Sequence, residues 1–339
     1  MERINAFIGD AANHPYLTVM RKLSLMACLA IAAPTALAAQ DPPTLNSIVV
    51  TAQRSGAPMW TIDTGNGRDG STIILVGEIR AVPKSTPWFP DRLEEATKEA
   101  DRVILRARPK FSPGDAFRLI FSGGKFTKLP KKTVAAEYLT TEQRARLAAL
   151  EEKHDIDYDR RSFLMTSFDL LMRRLDFDDD TVKDATDIVK KAANKADVPI
   201  SRPERFRGED LLDNLADAPP ESHIPCLEAA MGATEAGQPI IEKRGDDWRS
   251  FDIPAVMDNP LEIALGRCWP WADDELGDEI RGQWVDMISE ASQESGVTLA
   301  VVPLRVLAEP DGVLDQLEAK DFIIGGPDWR GPNPPASGG

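Results

Sequence analysis

The chain is poor in the residues that most often carry catalysis. Of its 3 histidines, His14 lies near the N-terminus, His154 sits in the charged run Glu151-Glu152-Lys153-His154-Asp155, and His223 follows Pro-Glu-Ser at an expected helix start. Neither a histidine metal motif nor a serine–histidine relay can be drawn from that spacing, so a histidine-dependent hydrolase is disfavoured. His154 reads as part of a solvated helix end. Gly65-Asn66-Gly67-Arg68-Asp69-Gly70 matches G-x-G-x-x-G by letter. The nucleotide fingerprint, however, needs a strand before it and a helix after it, so that the helix N-terminus meets phosphate, and here β-rich runs lie on both sides. A glycine-rich hairpin turn is expected instead. Asp176, Asp178 and Asp180, with Asp184 and Asp187 beyond them, have calcium-loop spacing. Thr181 stands where the sharp turn needs glycine, and Asp187 is too short for the bidentate last ligand. Asp179 or Asp180 is expected to cap a helix.

Elements that could position chemistry follow from the pattern of apolar residues. Residues 47–53, 59–63, 71–79 and 102–108 are β-rich runs bounded by Gly, Pro and Asp. A helical stretch from Phe89-Pro90 to Ala100 separates the last two, so they are expected to form a βαβ unit and pair parallel. From Asp115 to about Asn259 helical periodicity dominates, with Phe163, Leu164, Phe168, Leu171, Met172 and Leu175 spaced by threes and fours. Within it, residues 198–201 suit a short strand, and helices are expected over 208–216 and 222–234. A long helix over 274–294, a strand over 298–304, a helix near 311–319 and the run Phe322-Ile323-Ile324 form a second βαβ unit. The predicted fold class is therefore α/β, a mixed central sheet built from N- and C-terminal βαβ units with a large helical insert. Its strand ends, where ligands collect in open α/β sheets, are Glu78–Arg80, Arg106–Arg108 and Pro303–Arg305.

The N-terminus reads as an export signal. From Met20, Arg21-Lys22 precedes the apolar run Leu23 to Ala33, then Pro34 and the small-residue site Ala36-Leu37-Ala38. This predicts a leader over residues 1–39, in which either translation starts at Met20 or the n-region is unusually long, with cleavage near Ala38, one domain over 40–330 and a disordered tail over 331–339. No later run approaches the ~18–20 apolar residues that cross a bilayer, so no transmembrane segment is expected in the mature chain, which is placed in the periplasm or outside the cell. Cys28 leaves with the leader, and Cys226 and Cys268 remain as an even pair in an oxidising compartment, where a disulfide is expected. There is no C-x-x-C for redox catalysis. With 40 Lys+Arg against 55 Asp+Glu in 339 residues, the formal charge is −15. Nucleic acids and acidic membrane surfaces are poor partners for such a chain.

Met59-Trp60, the glycine-rich turn, the run Ser71 to Arg80, the Trp-Phe-Pro before a helix, and Ala100 to Arg106 resemble the opening of the TraB/GumN family. Gly296 to Leu307 followed by Pro310 to Leu317 resembles its closing strand and helix. The resemblance covers about residues 45–328 and implies a metal-dependent hydrolytic site, with a G-x-x-H motif at each end and a Glu on the strand after the first. Here the first motif is Gly77-Glu78-Ile79-Arg80, the second is Val302-Pro303-Leu304-Arg305, and the Glu position corresponds to Arg106. A guanidinium stays protonated and offers a metal no lone pair. The comparison thus implies a degenerate site with no metal, no cofactor and no family-type catalysis. It leaves Arg80, Arg106 and Arg305 as candidates for an anion-binding cleft, neutralised in part by Glu78, for a small anionic ligand, a peptide or a saccharide. Pairing of the three arginines with acidic residues of the same chain is the simpler alternative. The competing reading is an active hydrolase or peptidase with a rearranged site, using Glu78 or other carboxylates.

Overall fold

The computed structural model describes residues 45–63, 70–107, 127–203, 218–268 and 274–331. The predicted leader, the glycine turn at 64–69, the predicted helix at 208–216 and the tail from residue 332 lie outside them. In chain order the helices are α1 (Leu45–Gln53), α2 (Pro90–Glu99), α3 (Thr141–His154), α4 (Phe163–Asp169), α5 (Ala185–Ala196), α6 (Ile224–Ala236), α7 (Pro239–Arg249), α8 (Ile253–Met257), α9 (Pro260–Arg267), α10 (Asp274–Ala291), α11 (Leu304–Ala308) and α12 (Val313–Glu318). The strands are β1 (Met59–Asp63), β2 (Ser71–Glu78), β3 (Arg102–Leu105), β4 (Ile200–Ser201), β5 (Gly296–Pro303) and β6 (Ile323–Gly325).

They form one mixed six-stranded sheet in the order β4-β3-β5-β2-β1-β6. Its centre is β5, which runs parallel to β2 from Ser71↔Gly296 to Glu78↔Pro303 and parallel to β3 from Arg102↔Thr298 to Leu105↔Val301. Continuous burial of Val297 to Val302 explains why the run is apolar on both faces, as an interior parallel strand covered on both sides must be. The expected direct pairing of β2 with β3 is corrected: both lie parallel to β5, which inserts between them from the far end of the chain. β1 returns antiparallel to β2, Ile62 opposite Ile73, so the two strands flanking the glycine-rich turn pair as a hairpin would. β6 closes the edge antiparallel to β1, separated from β5 by the two strands β2 and β1, so the predicted second βαβ unit does not pair its strands directly.

Residues 47–53 are helical, against the expected strand. Alternation would have buried every second residue, whereas Ile48 and Ala52, four apart, are buried and Val50 between them is 44% exposed. The run is β-branched in composition but helical in periodicity, and packing decided. The cap of α5 is likewise Asp184, whose side chain accepts from the Asp187 N–H at 2.9 Å, in place of Asp179 or Asp180. Asp180 instead pairs with Lys84.

The helical insert builds a second apolar core from Leu147, Leu150, Phe163, Leu171, Leu227 and Met231. Within it Cys226 on α6 and Cys268 after α9 are joined by a disulfide, with their Cα atoms 4.6 Å apart. No helix among the described residues is long and apolar enough to cross a membrane. A bridge between cysteines 42 residues apart removes loop-closure entropy from the unfolded chain, so Cys226→Ser/Cys268→Ser should lower stability by about 3–4 kcal/mol. Urea unfolding of the two proteins measures the difference, and equal midpoints would contradict it.

Candidate functional site

The sheet delivers three chain segments to one end, the carboxyl ends of β2, β3 and β5. Gly77 approaches them too closely for any side chain: a Cβ there would lie 2.9 Å from both Trp60 and Leu304. Its carbonyl accepts from the Trp248 indole N–H at 2.9 Å, which ties β2 to α7.

Glu78, the last residue of β2, is buried at 5% exposure. The Thr186 N–H donates to Oε1 at 2.6 Å and the Thr186 hydroxyl to Oε2 at 2.9 Å. The carboxyl thus satisfies an amide in the first turn of α5 that has no partner within the helix. Burial, reinforced by the negative charge of Asp184, pushes its pKa up to about 7, while Arg106 and the two Thr186 hydrogen bonds pull the other way.

Arg80 follows directly and is half-buried. Burial and then the positive charge of Arg106 draw its pKa below the ordinary arginine value, partly offset by Asp178 and Asp184. Arg106, just beyond β3, is exposed, and its carbonyl accepts from Arg202 at 2.8 Å. The structure therefore brings Arg80, Arg106 and Glu78 into one electrostatic neighbourhood.

Arg305, in α11 just beyond β5, is held elsewhere. Its Nε lies 3.4 Å from Oε1 of Glu262 on α9, and its Nη2 donates to the Glu262 carbonyl. The guanidinium lies so close to Gly266 that a Cβ there would come within 2.3 Å of its central carbon. The other oxygen of Glu262 receives Arg244 of α7, Nη2 at 2.7 Å and Nε at 2.8 Å. The Arg244 side chain is only 2% exposed and that of Glu262 7%. Arg244 turns its remaining arm to the carbonyl of Arg80 at 2.8 Å. One buried carboxylate thus joins two arginines, and through them the ends of β5 and β2.

Thr186, Arg244 and Glu262 were not singled out as site residues by the sequence, and Asp184 entered only through the calcium-loop spacing that was set aside. Arg244 lies in Glu242-Lys243-Arg244-Gly245-Asp246-Asp247, which reads as a solvated charge run. The adjoining Trp248, buried at 1% exposure, shows that this helix faces inward.

The chain belongs to the TraB/PrgY/gumN family, whose model matches residues 58–325. No curated protein and no solved structure matches it. The metal that the family resemblance implies does not fit these residues. At the positions that the resemblance marks for metal ligands the chain has arginine, and the described residues contain no group of three or more His, Cys, Asp or Glu side chains able to hold an ion.

Glu78 has a stability consequence whose sign is fixed. Its folded-state pKa lies above the ordinary 4.5, so the folded chain binds this proton more tightly than the unfolded one. The contribution is fully present below about pH 4.5 and is lost as pH rises through about 7. Glu78→Gln keeps an oxygen for the Thr186 amide, and the Thr186 hydroxyl can reverse to accept from the new NH2 group. Melting curves from about pH 5 to about pH 8 should therefore be flatter for Glu78→Gln than for the wild type; equal slopes would remove Glu78 as the cause.

Proposed function

We propose that this chain is an exported TraB/GumN-type protein whose strand-end crevice has exchanged metal-dependent hydrolysis for anion recognition. The observation that carries the reading is chemical: arginine stands at 80, 106 and 305, where the family resemblance calls for two histidines and a glutamate. Arg305 is committed to Glu262; Arg80 and Arg106, whose charges act on one another at the ends of β2 and β3, are the proposed recognition pair. A guanidinium fork suits a carboxylate or phosphate on a small ligand, a peptide or an acidic saccharide. Export rests on the leader over residues 1–39 with cleavage near Ala38, and is supported by the Cys226–Cys268 disulfide. The periplasm or the extracellular space is the proposed location.

The competing reading, a hydrolase with Glu78 as acid or base, draws on its pKa of about 7, a value suited to proton transfer at neutral pH. The geometry favours a structural role. Both oxygens of Glu78 are engaged by Thr186, inside the protein, as the bracket that seats α5 on β2.

Elemental analysis tests the proposal. Purified protein dialysed against zinc, manganese or cobalt and then against buffer should retain far less than one equivalent of metal. Stoichiometric retention would overturn the reading and restore metal-dependent hydrolysis as the working hypothesis.

A further inference from the structure

The helical insert holds a second concentration of arginines that the proposed function does not use. Asp169, at the end of α4, is 6% exposed. Its Oδ2 accepts from the Tyr158 hydroxyl at 2.7 Å and from Arg174 Nε at 3.0 Å. Its Oδ1 lies 3.2 Å from Arg161 Nη1 and 3.5 Å from Arg173 Nη1. Arg161 also lies over the Tyr158 ring, 5.3 Å from its centroid. Burial pulls the Asp169 carboxyl up, but hydrogen bonds from Tyr158 and Arg174 and the charges of Arg174 and Arg161 outweigh it and hold it below the usual carboxylate range. Asp169 is therefore ionised, a single negative charge facing three guanidiniums.

Those guanidiniums have capacity to spare. Their side chains remain 33% exposed for Arg161, 47% for Arg173 and 26% for Arg174, and Asp169 is the carboxylate each is paired with among the described residues. Glu151, on the flank of Tyr158, is engaged by the Tyr158 backbone N–H at 2.6 Å. One carboxylate cannot saturate three forks of N–H donors, so N–H groups remain for a second acceptor. In an otherwise strongly acidic protein this is a local surplus of positive charge.

The backbone is shaped to make this convergence. Leu170–Leu175 is a π-helical segment, directly continuing α4. In an α-helix the residue four along sits over Asp169, but the residue five along is turned well away. The wider i→i+5 turn lets the consecutive residues Arg173 and Arg174 both reach back to Asp169. Such turns are rare, and they recur at functional sites. His154, on which Arg174 and Asp169 both act electrostatically, has its Nε2 buried without a hydrogen-bond partner among the described residues.

We propose that Arg161, Arg173 and Arg174, gathered around Asp169 by the π-helical turn, bind a soluble dianionic phosphate, either inorganic phosphate or a phosphomonoester. Two uncompensated positive charges match a dianion, and planar forks from three directions match the several oxygens of a tetrahedral phosphate better than a flat carboxylate.

Melting of the full chain during titration with inorganic phosphate, against sodium chloride at matched ionic strength, tests this. A ligand that binds only the native state raises the melting temperature saturably, so phosphate should raise it and chloride should not. Arg173→Gln removes the most exposed and most distant of the three guanidiniums; it should fold normally and bind phosphate about tenfold more weakly. Arg161→Gln should do the same and decides the matter should Arg173→Gln fail to fold. Arg92→Gln, an exposed arginine of α2 outside both arginine groups, should respond as the wild type does, and Arg106→Gln separates from this site any phosphate held at the strand ends. No rise beyond that in chloride, a full response in both Arg161→Gln and Arg173→Gln, or a response lost only in Arg106→Gln would each overturn the proposal.

Discussion

A carboxylate that is almost wholly removed from water must be paired, and Glu262 is paired twice. Arg244 holds one of its oxygens and Arg305 lies against the other. Arg244 supplies the hydrogen bond to the carboxylate and Arg305 an ion-pair contact together with a hydrogen bond to the Glu262 carbonyl, and removing one partner would leave charge in the interior less compensated. The consequence for the site is direct. Arg305 and the carbonyl of Arg80, contributed by segments more than two hundred residues apart in the chain, are fixed relative to one another through side chains of α7 and α9. At this end of the sheet the segments are joined by a salt-bridged strut.

The second bracket is Glu78 with Thr186. It works by a different balance, since the carboxyl is pushed towards its neutral form yet still accepts two hydrogen bonds. Together the two contacts hold the helical insert against the carboxyl ends of the strands, one through α5 and the other through α7 and α9. The Asp169 cluster inverts these proportions. There one carboxylate meets three guanidiniums that stay in contact with solvent, so charge remains available for something outside the chain. Buried and balanced charges serve architecture; half-exposed and unbalanced ones suit a ligand.

Much of this was legible in the sequence where a single physical signal acts alone. Continuous apolar runs marked β2 and β5, since only strands covered on both faces need them. The even cysteine pair foretold the bridge, and the context of the glycine-rich motif ruled out a nucleotide turn. The strand-end positions of Glu78, Arg80, Arg106 and Arg305 were readable for the same reason. What failed did so where signals compete. Residues 47–53 have strand composition but a helical burial period, and composition misled. The order of strands could not be read, because the insertion of β5 between β2 and β3 depends on contacts across the length of the domain. Arg244 and Glu262 were invisible because a charged residue in a helix looks the same in sequence whether it faces water or a buried partner. The π-helical turn was equally hidden, since its apolar spacing matches an ordinary helix.

The central claim is that Arg305 serves as one arm of a buried strut on Glu262 and is unavailable as a ligand-binding group. A double-mutant cycle by urea unfolding, using Glu262→Gln, Arg305→Met and the double variant, measures that directly. A coupling energy of about 2–3 kcal/mol between the two sites is predicted. Additivity within about 0.5 kcal/mol would show that the pair is not a strut and would contradict the assignment.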